Sequence, residues 1–312
     1  MSDMIMFEPA RLPAPFGLGN TGSICYLNAS LQALASCTAL SRVLEEAPPA
    51  ELTATGAALA KFLRIARGSS IASIASSANV ASESAAILGA LRADLASRRP
   101  RTRFGSGQES ASEAFVLILE MLLRDDDKAQ PANCAVSQLF AHRYRCTVVC
   151  GACRRAVSRD VDENVHFSLF HFDGLEPSAF AAALARHVSV LEDYVCPECK
   201  QRGSAIRRYD LTMAPEILVC LFNAYVGRGG AKIPRRFPET FELPARAGGA
   251  IGYRLVAQIE HSGGLDGGHY WARCLRLSGG VAQAFMLNDA GVSPAAFGAS
   301  AETYVVVYHV CG

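Results

Sequence analysis

Two CxxC pairs limit the folds open to this chain more than any other feature. "CGAC" supplies Cys150 and Cys153, "CPEC" supplies Cys196 and Cys199, and 42 residues lie between them. Two such turns can present four soft thiolates to one tetrahedral zinc ion, which would pin the two ends of the intervening segment to one point. Each pair follows strand-like residues, so the segment reads as a β-rich insert held by a single structural zinc with four cysteine ligands. Four thiolates leave no open coordination position, so this metal would hold structure and take no part in catalysis. The competing readings are four unmetallated thiols or two disulfides; a redox motif needs a thioredoxin-like βαβ context that is absent.

The remaining cysteines bring the count to eleven, an odd number in a chain of 312 residues that is too long to need disulfide stapling. A reducing compartment fits that usage. The N-terminus lacks a basic region followed by an apolar core, and no run approaches the length of a membrane span. The expectation is an intracellular protein, cytoplasmic or nuclear. Half the residues are hydrophobic, enough for a large core. Thirty basic and 29 acidic side chains give a net charge of +1, which recommends neither nucleic acid nor a membrane as partner. No glycine-rich phosphate loop sits between a strand and a helix, so no nucleotide-dependent chemistry is indicated.

The first part of the chain reads as helical. Leu27, Leu31, Leu34, Cys37, Leu40 and Leu44 recur at three- and four-residue steps, which predicts one helix from Cys25 to Leu44 with a single buried face. Residues 51–66 repeat the pattern, and the Ala- and Ser-rich stretch that follows, up to the basic "SRRPRTR", reads as weak helices joined by mobile surface. "SASEAFVLILEMLLRDDD" predicts a helix opened by a capping box of Ser110 and Glu113, with Asp125, Asp126 and Asp127 beyond its end. From Leu139 onward, short runs rich in Val, Tyr and Phe predict a mostly antiparallel β assembly interrupted by one helical insert, "PSAFAAALARHV". The fold class is therefore α+β.

"GLGNTGSICYLNASLQ" places Cys25 at the start of the first helix. A thiol attacks acyl carbon as thiolate and needs a lowered pKa, usually from a helix N-terminus and a neighbouring imidazole. A turn through Gly22 could bring the Asn20 amide beside the thiol as an oxyanion donor, joined by the Cys25 backbone N–H. The imidazole candidate is His269 in "HSGGLDGGHYWARC", where the bare backbone of Gly267 and Gly268 would admit a narrow chain. Nineteen residues further on, "FMLNDAGV" supplies Asn288 and Asp289, either suited to fix the imidazole tautomer. Cys, then His, then Asn or Asp is the papain-like order.

These segments resemble the ubiquitin-specific protease family. "GLGNTGSICYLNASLQ" is similar to its cysteine box, and "YRLVAQIEHSGGLDGGHYWARCLR" with "FMLNDAGVS" is similar to its histidine box. "GQESASEAF", the paired CxxC motifs and "APEILVCLFNAYVGRGGAKIPRRFPETFELP" resemble further family segments in collinear order over about residues 15 to 310. The resemblance implies a papain-like cysteine deubiquitinase of thumb, palm and fingers. Residues 1–14 would be an N-terminal extension and 15–312 one catalytic domain, with the thumb at 15–130, the fingers and part of the palm at 139–215 and the palm at 216–312.

It further implies Cys25 as nucleophile, His269 as general base, Asn288 as the residue orienting it with Asp289 in reserve, and Asn20 in the oxyanion hole. Substrate contacts would come from Gln108, Ser110, Glu113, Gly267, Gly268 and Tyr270, with His261 structural. The implied partners are ubiquitin and ubiquitinated proteins, the chain acting as a monomer with no catalytic cofactor. Alternative readings are a protease for a ubiquitin-like modifier such as SUMO, or an inactive ubiquitin-binding scaffold. Ser23 and Ile24 depart from the family's Asn-Thr, Ser110 from its Asp, and Ala224 and Tyr225 from its Arg-Phe.

Overall fold

The computed structural model describes residues 4–68, 78–101, 104–124, 134–163, 177–222, 225–226, 231–232, 234, 236–244, 249–264 and 267–311. Asp125 to Asp127, Ala224 and the strand-like run at 164–172 lie outside the described residues. The helical part holds α1 (Cys25–Leu34), α2 (Thr38–Glu46), α3 (Ala54–Gly68), α4 (Ala78–Arg98), α5 (Ala111–Leu122) and α6 (Ala135–Phe140).

All ten residues of α1 are buried, so it is a central helix and not the amphipathic one that the spacing predicts. It also stops short, and α2 begins anew at Thr38. The cause is a buried arginine at its C-terminus. Arg276, wholly buried, donates to Ser36 Oγ at 2.8 Å and to the Gln32 carbonyl at 3.0 Å, the acceptor that a continuing helix would have used, and the Ser36 N–H turns to the Ala33 carbonyl instead. The Ala- and Ser-rich stretch, expected as weak helices, contributes the 21-residue α4 packed along α3. Its Asp94 carboxylate receives the Thr55 backbone N–H at 3.0 Å and hydroxyl at 2.7 Å, tying the two helices together. The capping box at α5 does not form. Ser110 is the N-cap, but its hydroxyl makes no cap bond; it meets Ser112 Oγ at 2.8 Å and the Tyr304 hydroxyl at 3.4 Å.

The expected antiparallel assembly is two sheets. The smaller contains β1 (His142–Cys150), β2 (Ala156–Glu163), β3 (Arg186–Val195) and β4 (Arg202–Met213) in the order β2-β1-β4-β3. The predicted helical insert is α7 (Pro177–Ala185), ending three residues early because Arg186, His187 and Val188 pair with β4. The other strands are β5 (Ile217–Leu221), β6 (Tyr225–Val226), β7 (Ala231–Lys232), β8 (Thr240–Pro244), β9 (Ala250–Gly264), β10 (Gly267–Ser278), β11 (Val281–Asn288), β12 (Gly291–Pro294) and β13 (Thr303–Cys311). The larger sheet runs β12-β11-β10-β9-β13-β5 with β8 on β9, while β6 and β7 pair alone.

This larger sheet is covered on both faces. Val305 and Val307 of β13 join the core against the helices, whereas Val306, Tyr308 and Val310 pack with Phe180 and Leu184 of α7. That is why "TYVVVYHV" is apolar without alternation.

One contact between the layers is pH-sensitive. The N-cap of α2, Cys37, gives no side-chain cap, and the Ala39 N–H donates instead to Nε2 of the buried His309 at 3.2 Å. Burial holds this imidazole down to about 4 from its ordinary 6.5, and a helix N-terminus also disfavours the cation. Between those values the unfolded chain binds a proton that the folded chain refuses. Stability is then full above about pH 6.5 and falls as pH drops towards 4, by about 3 kcal/mol in total. Denaturant melts across this window should show the loss, and His309→Gln should flatten it.

Candidate active site and metal centre

The loop before α1 is organised by Asn20. Its Oδ1 accepts the backbone N–H of Gly22 at 3.0 Å and of Ile24 at 3.3 Å, closing the turn through Gly22. Gly22 has φ +129°, open to glycine, and Ser23 follows at +53°, left-handed backbone that asparagine tolerates better than serine. Cys25 comes next as the first residue of α1, buried, where helical N–H groups have no intrahelical acceptor.

His269 lies on β10 and Asn288 ends β11. Nε2 of His269 is 2.6 Å from Asn288 Oδ1. An amide oxygen only accepts, so the imidazole proton sits on Nε2 and Nδ1 is left as the basic nitrogen. Asp289 is further away, its Oδ2 at 3.9 Å from His269 Nε2.

Asp289 is bound elsewhere. It adopts left-handed backbone at φ +48° and accepts the Asn20 amide at 3.0 Å on one oxygen and the Asn28 amide at 2.8 Å on the other. Its carbonyl receives the Leu18 N–H at 2.8 Å. One carboxylate thus joins the loop before Cys25, the first turn of α1 and the strand end carrying Asn288. Asn28 escaped the sequence reading. Its signal was an amide one turn after Cys25, at the spacing that shares a helix face with the thiol.

Gln108 embraces the Gly268 peptide, its amide donating to the Gly268 carbonyl and its oxygen facing the Gly268 N–H at 3.5 Å. Gly268 is bare for a packing reason as well. A Cβ there would lie far inside van der Waals contact of the Ser262 carbonyl and the His261 ring, while one on Gly267 would meet only Gln108 Oε1 at 3.7 Å. His261 is the buried floor of this turn, its imidazole pKa lowered by burial and then by the Lys232 ammonium. Gly268→Ala should therefore lower turnover about a hundredfold by displacing the start of β10, and should also lower the melting temperature, because the clash falls on backbone and a buried ring. Parallel kinetics and melting curves check this.

Tyr270 is buried, its ring 4.3 Å from His261 and 5.8 Å from Tyr304, on the face of β10 opposite His269. Glu113 stands in the first turn of α5, beside Ser110.

The four CxxC cysteines meet at the end of the smaller sheet. All four sulfurs lie within 4.8 Å of one another, with Cys150 to Cys199 at 3.9 Å and Cys153 to Cys196 at 3.8 Å. Tetrahedral zinc with sulfur at about 2.3 Å separates its ligands by about 3.8 Å, so the set fits the ion. The two turns repeat each other. Arg154 donates its N–H to the Cys150 carbonyl and Lys200 to that of Cys196, both in left-handed backbone. The Cys153 backbone N–H, working against desolvation, draws the Cys150 thiol down to about 7, while at Cys153, against the Arg155 N–H, desolvation and the neighbouring thiols push the thiol up, as expected of sulfurs this close.

A family model described as ubiquitin carboxyl-terminal hydrolase matches residues 16–308. Among curated relatives, ubiquitin carboxyl-terminal hydrolase 17-like protein B of Mus musculus is 22% identical over 85% of this chain and 57% of its own length. Ubiquitin carboxyl-terminal hydrolase 36 of Drosophila virilis is 25% identical over 94% of this chain and 26% of its own. The chain thus spans about half or less of the length of these relatives. Of solved structures, the SAGA Ubp8/Sgf11/Sus1/Sgf73 DUB module bound to ubiquitin aldehyde aligns with TM-score 0.74 at 19% identity, covering 97% of this chain and 71% of that one. Another structure of that module, bound to monoubiquitin, aligns at 0.72 and 20% identity over 100% and 72%. At such identities the likeness establishes the fold, in which the helices are the thumb, the larger sheet the palm and the four-stranded sheet the fingers. With 293 of its residues inside the family model, the chain belongs to the ubiquitin carboxyl-terminal hydrolase family.

Proposed function

We propose that this chain is a thiol-dependent deubiquitinase that hydrolyses the isopeptide or peptide bond after the C-terminal glycine of ubiquitin. The observation that carries the reading is the Asp289 bridge. It fastens the Cys25 loop and helix to the strand end where His269 meets Asn288, as a nucleophile and its base require.

His269 Nδ1 takes the Cys25 proton, and the thiolate attacks the glycine carbonyl. The tetrahedral oxyanion accepts from the Cys25 N–H and from the Asn20 amide, whose second hydrogen is left over from its bond to Asp289. His269 then protonates the departing lysine amine, and water, activated by the same imidazole, releases ubiquitin from the thioester. Asn288 holds the ring in the tautomer that both steps need. Gln108, Ser110, Glu113, Gly267 and Gly268 border the tail's path, and the fingers hold the body of ubiquitin with zinc on Cys150, Cys153, Cys196 and Cys199. All the reacting groups named here belong to this chain, and the working unit of this proposal is a monomer.

The test is a panel of ubiquitin and ubiquitin-like modifiers carrying C-terminal electrophiles. Ubiquitin should label Cys25 and the others should not. Labelling by SUMO alone would transfer the activity to that modifier, and labelling by none would leave the scaffold reading.

A further inference from the structure

Trp271 is the only tryptophan of the chain. It follows His269 by two residues on β10 and so shares its face of the sheet. The two rings are nearly parallel, at 25°, with centroids 6.3 Å apart. Directly across the pairing with β9 stands Glu260, and the indole Nε1–H donates to its carboxylate at 2.8 Å. Glu260 is only 1% exposed, and a carboxylate so placed needs a counter-charge. Arg273 supplies it at 2.7 Å and is itself fixed by donating to the Ala296 carbonyl at 2.7 Å. On the other side, the register pairing Ala272 with Leu287 carries Asn288 to the level of Trp271.

The indole is thus fastened by its polar edge and lies beside the His269–Asn288 bond. One hydrogen bond leaves an imidazole free to rotate about it, and the His269 side chain is 38% exposed to water. A fixed flat ring alongside removes that freedom. We propose that Trp271, anchored by Glu260, is a positioning residue for His269: it sets the plane in which the imidazole reaches Cys25 and keeps water from one side of the bond to Asn288. The inference rests on the reading of His269 as the general base.

The sole tryptophan makes the contact directly observable, because uncovering one face of an indole to water shifts its emission. Fluorescence of the zinc-loaded chain, read at one fixed pH, should move to longer wavelength in His269→Ala, which removes the ring lying 6.3 Å from that of Trp271. In turnover of a ubiquitin C-terminal reporter, Trp271→Thr should lower kcat about tenfold to a hundredfold with KM kept, and Trp271→Phe, a flat ring without the bond to Glu260, should restore only part of it. An emission spectrum unchanged by His269→Ala overturns the proposal, even if the threonine variant fails to fold. Wild-type kcat and pH profile in Trp271→Thr, with His269→Ala inactive, overturns it too. Undiminished turnover in His269→Ala would instead overturn the assignment of the base.

Discussion

Cys25→Ala is expected to abolish turnover of a ubiquitin C-terminal reporter, a loss of at least about 10⁴-fold, while ubiquitin binding survives. The thiol has no stand-in. Cys37, Cys134, Cys146, Cys220 and Cys274 are buried, Cys311 ends β13 opposite Gly252, and the remaining four are the clustered CxxC cysteines. Removing one sulfur atom from the first turn of α1 leaves the tail contacts proposed for Gln108 and Gly268 in place, so affinity and catalysis should separate. Titration of the variant with labelled ubiquitin, beside kinetics, checks both halves; robust cleavage by the alanine variant would refute the nucleophile.

Two further substitutions divide the work of the adjacent pair at the end of β11. Asn288→Ala removes the acceptor 2.6 Å from His269 and should lower kcat about a hundredfold or more, the range of a general base left unoriented. Asp289→Ala releases Asn20 and Asn28 together and should also lower the melting temperature, because it unties thumb from palm.

Removing the metal is expected to have the second large effect, on stability. The four-stranded sheet has little core of its own: Val188, Val190, Val195 and Ile206 are exposed on it. A sheet so thinly covered depends on its staple, and a structural zinc site contributes on the order of 10 kcal/mol. Chelation, or Cys196→Ser, should split the thermal transition, with the fingers melting first and the thumb and palm later. KM for ubiquitin substrates should rise more than kcat falls, since the reacting groups lie elsewhere. Calorimetry, metal content of one zinc per chain and hydrogen exchange over β1 to β4 measure the three parts. A melting profile indifferent to chelation would remove zinc from the account.

Local chemistry made much of this fold legible. Thiolate spacing announced the metal cage, and turn glycines with β-branched runs announced the antiparallel sheets, because each depends on residues close in sequence. The errors arose where a distant residue intervened. Periodicity alone extends the first helix to Leu44, and Arg276, some 240 residues later, ends it. Ser110 and Glu113 have the spacing of a capping box, yet the Ser110 hydroxyl is drawn towards Tyr304.

The site divides in the same way. Which residues carry reactive groups was settled by the sequence, since a thiol, an imidazole and amides are properties of side chains. Which of them meet was decided only by the fold. Asn288 and Asp289 are adjacent in the chain, but a strand end in left-handed backbone turns one towards His269 and the other towards Asn20 and Asn28. Hydrogen bonds act over about 3 Å, and no spacing rule in the sequence brings Asn20 and Asn28 within that range of Asp289, or His269 within that range of Asn288; packing of α1 against the palm does the first and the pairing of β10 with β11 the second.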